Sequence, residues 1–128
     1  MIKKIAIFLF LVTPSLHARV SFEEVNARVF QKHCVECHND KKSKGGLNLT
    51  LGGLSRLKNL TEEEKKMSLM TSGQLSLVPG SPEDSAIYFM SEDRDMPEKK
   101  NLLEKPVYLN EEELELLYNW IAEGAETQ

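Results

Sequence analysis

Five consecutive residues carry the densest chemistry in the chain: Cys34-Val35-Glu36-Cys37-His38. Two thiols three residues apart lie about one helical turn from each other. At that separation they reach the two vinyl groups on one edge of a porphyrin and form thioethers. The imidazole of the next residue then falls under the iron. This is the spacing of covalent haem attachment, with Cys34 and Cys37 holding the ring and His38 as the proximal iron ligand. One haem c is therefore the expected cofactor.

Three other uses of these residues compete. A thiol–disulfide redox pair normally opens a helix after a strand, where the dipole lowers the thiol pKa. Here the pair closes an expected helix, and no strand precedes it. A structural zinc site needs four ligands. His33, Cys34, Cys37 and His38 are all local, and no second pair occurs elsewhere. A Cys34–Cys37 disulfide in a haem-free binding domain is the third use, although so small a loop removes little chain entropy.

An iron held by His38 needs a sixth ligand or an open site. His33 immediately precedes Cys34 and is expected at the surface, in water, pointing away from the ring. Met67, Met70 and Met90 fall on expected helices, where apolar packing is the usual role. Met96 follows the polar run Ser91-Glu92-Asp93-Arg94-Asp95 and precedes Pro97. A methionine among polar residues has no core to fill, and a loop can bring its sulfur to the far face of the ring. Thioether ligation favours reduced iron and raises the potential. Met96 is the first choice for the distal ligand and Met90 the second. An electron carrier, not an enzyme, is the reading that follows. An open sixth position would instead make a peroxidase-like enzyme or a sensor.

The chain opens on Lys3 and Lys4, then an unbroken apolar run over residues 5–12, then Pro14 and Ser15. This pattern is that of an export signal, with cleavage expected after Ala18 and loss of His17. Residues 1–18 read as signal peptide and 19–128 as one domain. The apolar run is far below the roughly 20 residues needed to span a bilayer. No transmembrane span is expected after cleavage, and the expected location is the periplasm of a bacterium or another exported site. Removing the leader takes away two lysines and no acid, leaving 14 basic against 20 acidic residues, net −6, over 110 residues. That balance does not suit DNA, RNA or an anionic membrane. It suits a redox partner protein with a basic docking face.

Four helices are expected to position these groups. The first covers residues 22–32, with Ser21 as cap, Glu24 completing a capping box, and Phe22, Val25, Val29 and Phe30 on one face. The second covers 62–70 behind Thr61 and Glu64. The third covers 82–90, with Ser81 as cap and Pro82 in the first helical position. The fourth covers 111–123, capped by Asn110, with Glu111, Glu112 and Glu113 at the positive end of the dipole. Its expected buried stripe is Leu114, Leu117, Trp120 and Ile121, and Gly124 stops it. Residues 41–53 read as a glycine- and lysine-rich turn with a short extended piece through Leu47, Leu49 and Leu51. Val78-Pro79-Gly80 reads as a tight turn. The fold class is all-α, a small helical domain with long loops around one haem.

Taken in order, these pieces resemble the planctomycete-type cytochrome c domain over residues 30–125. Cys34 to His38 is followed by Gly45-Gly46-Leu47-Asn48-Leu49, then Val78-Pro79-Gly80 and Ser81-Pro82-Glu83-Asp84-Ser85. Met96-Pro97 is similar to that family's ligand loop, and Trp120-Ile121-Ala122-Glu123-Gly124-Ala125 to its last helix. The resemblance implies covalent haem c, His38 and Met96 as axial ligands, and packing of the first helix on the last through Phe30 and Trp120. Glu98 stands where the family often has a second proline.

Overall fold

The computed structural model describes residues 18–98 and 103–128. The expected leader lies outside the described residues except for Ala18, which is exposed. Every regular element among the described residues is helical; their only β-type pairings are isolated bridges, His38 with Ser43 and Leu75 with Ser85. The all-α expectation with long connecting loops holds. No helix among the described residues is long and apolar enough to cross a membrane.

The Ser21 hydroxyl accepts the Glu24 N–H at 3.2 Å and opens α1 (Phe22–Val25). Glu24 turns its carboxylate to Arg28 at 3.2 Å, so half of the expected capping box is made. The helix continues unbroken into a wider, π-helical segment, Asn26–Cys34. Its winding reaches five residues back: the Val35 N–H donates to the Phe30 carbonyl at 3.0 Å. Such winding is rare and concentrates at functional sites.

Helix α2 (Leu51–Lys58) begins inside residues 41–53, where a turn and an extended piece through Leu51 were expected. Thr50 caps it by accepting the Gly53 N–H. Within it Gly53 serves close approach: a Cβ there would overlap the Asn48 carbonyl. Helix α3 (Glu62–Ser72) has the full Thr61–Glu64 capping box and ends at Gly73, whose φ is +74°. It buries no residue. Met67 and Met70 are 64% and 74% exposed, so the packing role expected of them is not the one they have.

The expected third helix is split. A 3₁₀ turn, Pro82–Asp84, is separated from α4 (Ala86–Glu92) by Ser85 in extended conformation. Ser85 is fully buried because its hydroxyl accepts the Val78 N–H at 2.8 Å and reaches the Ser81 carbonyl at 2.9 Å. Ser81 does not cap; its hydroxyl donates to Asp84 at 2.6 Å. The turn at Val78-Pro79-Gly80 forms as expected, with Gly80 at φ +85°.

Helix α5 (Glu111–Ala122) carries the complete Asn110–Glu113 capping box. Leu116, Leu117, Trp120 and Ile121 are buried, while Leu114 is only partly so. Trp120 is the hub of the core. Its ring stands edge-on to Phe30 at 5.5 Å and tilted to Phe22 at 6.1 Å, locking the first helix against the last. Edge-to-face aromatic pairs contribute about 0.5–1.5 kcal/mol beyond the area they bury. The Trp120 indole N–H donates to the Glu126 carbonyl at 2.8 Å. Glu123 accepts the Val20 N–H at 2.8 Å, so the start of the described chain lies against its end.

Candidate functional site

The end of the π-helical segment, the loop after it, α2, α3 and the α4–Met96 region line a half-open cavity of about 1190 Å³. That exceeds the roughly 300–1,000 Å³ of ordinary small-molecule pockets. Cys34, Cys37, His38 and Met96 all line it, as does Met90. Sequence positions 34 to 96 are thus brought to one space. Phe30, Leu49, Leu57, Leu109 and Leu117 supply apolar wall.

Each chemical group is set by local structure. The Cys37 N–H and the His38 N–H both donate to the Cys34 carbonyl, at 3.2 and 3.1 Å, which makes one tight turn of the segment. Both cysteines are free thiols. Burial pushes the Cys34 thiol up to about 12. A thiol that stays protonated at neutral pH is unsuited to thiol–disulfide exchange, which needs thiolate.

The His38 ring is oriented by the chain that follows it. Its Nδ1 lies 3.2 Å from the Leu47 carbonyl. A carbonyl only accepts, so Nδ1 is the donor, and the neutral form of such a ring has its lone pair on Nε2. This is the outer-sphere arrangement that fixes a metal-binding histidine in one tautomer. The loop is held in turn by the Leu49 N–H on the His38 carbonyl at 2.9 Å and the Lys44 N–H on the Cys37 carbonyl at 3.1 Å. Gly45 and Gly46, at φ +65° and +75°, make the turn between these bonds and also line the cavity.

The two methionines differ. The Met90 sulfur accepts the Gln74 amide at 3.7 Å. Met96 is partly buried, and its N–H donates to the Met90 carbonyl at 3.1 Å, which ties the start of its loop to the end of α4. Lys44 is paired with Glu98, two residues beyond Met96, and both line the cavity.

His33 departs from expectation. Its side chain is only 2% exposed. Nε2 lies 2.9 Å from the Glu113 carboxylate and Nδ1 lies 3.1 Å from the Val107 carbonyl. Glu113 is likewise buried, accepts the Asn110 N–H at 3.0 Å and pairs with Lys32. Burial works to raise its carboxyl, but the Lys32 ammonium, the Asn110 N–H and the His33 ring outweigh it and hold the carboxyl below the usual range. The signal for this cluster was present. His33 continues the Val25–Val29 stripe at a spacing of four, and Glu113 is the third residue of its capping box.

Among the described residues no group of three or more histidines, cysteines or carboxylates is placed to hold a metal ion. The donor set here is instead one imidazole and one thioether on a large apolar cavity with two thiols beside it. That chemistry fits a porphyrin attached by its edge. The chain matches no family model, no curated protein and no solved structure.

Proposed function

We propose that the chain is an exported mono-haem cytochrome of the c type, similar to the planctomycete-type domain, that carries single electrons. The observation that carries this reading is the meeting of Cys34, Cys37, His38 and Met96 on one largely apolar cavity. When bound, haem supplies an iron that changes oxidation state by one electron. Cys34 and Cys37 would hold its edge, His38 would offer Nε2 on one side, and Met96 would offer sulfur on the other. Phe30, Leu49 and Leu117 would keep water from the ring. The acidic balance of the domain favours a redox partner with a basic face.

The test is the mass and the visible spectrum of protein exported by a host able to attach haem c. A covalent haem increment, sharp reduced low-spin bands and the weak red methionine–iron band in the oxidised state are expected. Met96→Ala should keep the covalent mass, lose the red band and lower the potential. A high-spin wild-type spectrum that shifts with small ligands would favour the open-site enzyme or sensor. Exported protein without haem would overturn the reading.

A further inference from the structure

We propose that Gln74 is a positioning residue that reserves the sixth iron position for Met96 by holding the sulfur of its rival, Met90. The inference rests on the function proposed above and names what selects its distal ligand. Met90 is a rival because the backbone keeps the two methionines together. The Met90 carbonyl accepts the Asp95 N–H at 2.8 Å and the Met96 N–H at 3.1 Å. Both side chains are partly buried and both line the cavity. The two thioethers are the same chemical group, so their own chemistry does not choose between them. Gln74 does: its amide donates to the Met90 sulfur at 3.7 Å, and it lines the same cavity. A sulfur held this way must leave its amide or share its lone pairs to bind iron.

Gln74 is itself set by the chain on either side. Its carbonyl accepts the Ser68 hydroxyl at 3.3 Å and the Ser72 hydroxyl at 2.9 Å, which ties it to the end of α3. The next two carbonyls, of Leu75 and Ser76, accept the N–H groups of Ala86 and Ile87 at 2.9 and 3.1 Å. Residues 74–76 are thus clipped to the first turn of α4. Met90 lies about one helical turn further along, where the Gln74 amide meets it. A preference of about tenfold between two thioethers corresponds to about 1.4 kcal/mol. That is the upper end of what one hydrogen bond contributes.

The experiment follows the red methionine–iron band of the oxidised, haem-loaded protein. Met96→Ala should lose nearly all of it. Met96→Ala combined with Gln74→Leu should strengthen it about tenfold over Met96→Ala alone, because leucine keeps the volume and the backbone carbonyl but donates nothing. Adding Met90→Ala to that pair should abolish it again, which separates Met90 from Met67, another sulfur on the cavity wall. A merely structural role for Gln74 would weaken folding without creating a band. No gain in the double variant, a band that survives Met90→Ala, or a full band in Met96→Ala alone would overturn the proposal. If the double variant is not exported with haem, the full chain without haem decides. Peroxide oxidation of Met90, read by peptide mass, should be about threefold faster in Gln74→Leu than in wild type. Met70, 74% exposed on α3, should keep its rate. Equal Met90 rates overturn the proposal. Absence of covalent haem from the wild type would count against the proposed function, while the oxidation rates would still decide whether Gln74 holds the Met90 sulfur.

Discussion

Glu113 shows how much one side chain can be asked to do. It caps its own helix, neutralises Lys32 and holds a buried imidazole, all from a position 3% exposed. Because its carboxyl is held below the usual range, it contributes stability that is fully present above the ordinary carboxyl pKa. That stability is lost as pH falls through the lower, folded value. The prediction is that wild type loses more stability than Glu113→Gln between about pH 6 and about pH 3, read as urea midpoints. At neutral pH Glu113→Ala should cost about 2–3 kcal/mol, since it strands a buried ring and removes a cap. That Cys34, Cys37 and His38 form one cluster was legible at this scale, because local spacing alone picks them out. The partners of His33 were not. Glu113 lies 80 residues away along the chain, and periodicity gives a face without saying what will meet it.

At the scale of elements, cap chemistry proved the best guide. Thr61 with Glu64 and Asn110 with Glu113 opened α3 and α5 where expected. The failures share a cause. Helix α2 was hidden by Gly52 and Gly53, whose low helix propensity is overridden where Gly53 must pass the Asn48 carbonyl. The third helix broke at Ser85 because a buried hydroxyl that holds the 78–80 turn needs extended backbone. Two predictions follow from these pairs. Gly53→Ala should destabilise the domain by about 1–3 kcal/mol, the usual range for overpacking, as read by thermal melting. Thr61→Ala should weaken α3 by about 1 kcal/mol. Since α3 buries no residue, that loss should be seen as faster amide exchange within residues 62–72, with little change in the melting of the whole domain.

For the molecule as a whole, the proposed haem bears on stability. A haem seated in the space of about 1190 Å³ would add packing partners of the kind that interiors normally provide. Protein made in a host that cannot attach haem should therefore melt at lower temperature and less cooperatively than the exported form. Differential scanning calorimetry of the two preparations checks this; equal melting would argue against a group that fills the space. The core around Trp120 should be common to both, because Phe22, Phe30 and the Glu126 carbonyl hold that ring. Trp120→Ala should cost about 3–5 kcal/mol in either preparation.

One carboxylate has a topological consequence. Glu123, just past the last helix, takes the Val20 N–H at 2.8 Å, and the Arg19 guanidinium reaches the Glu123 carbonyl at 3.3 Å. The backbone from Val20 to Glu123 is thus closed on itself by hydrogen bonds. Cutting that ring elsewhere and sealing it here would change the order of the text without changing the packing. The surface turn at Asn59 and Leu60, between α2 and α3, is the natural place to make the new opening. A permuted chain that begins at α3 and still unites residues 34 to 38 with Met96 would show that the cavity belongs to the three-dimensional circuit and not to the direction in which it is read.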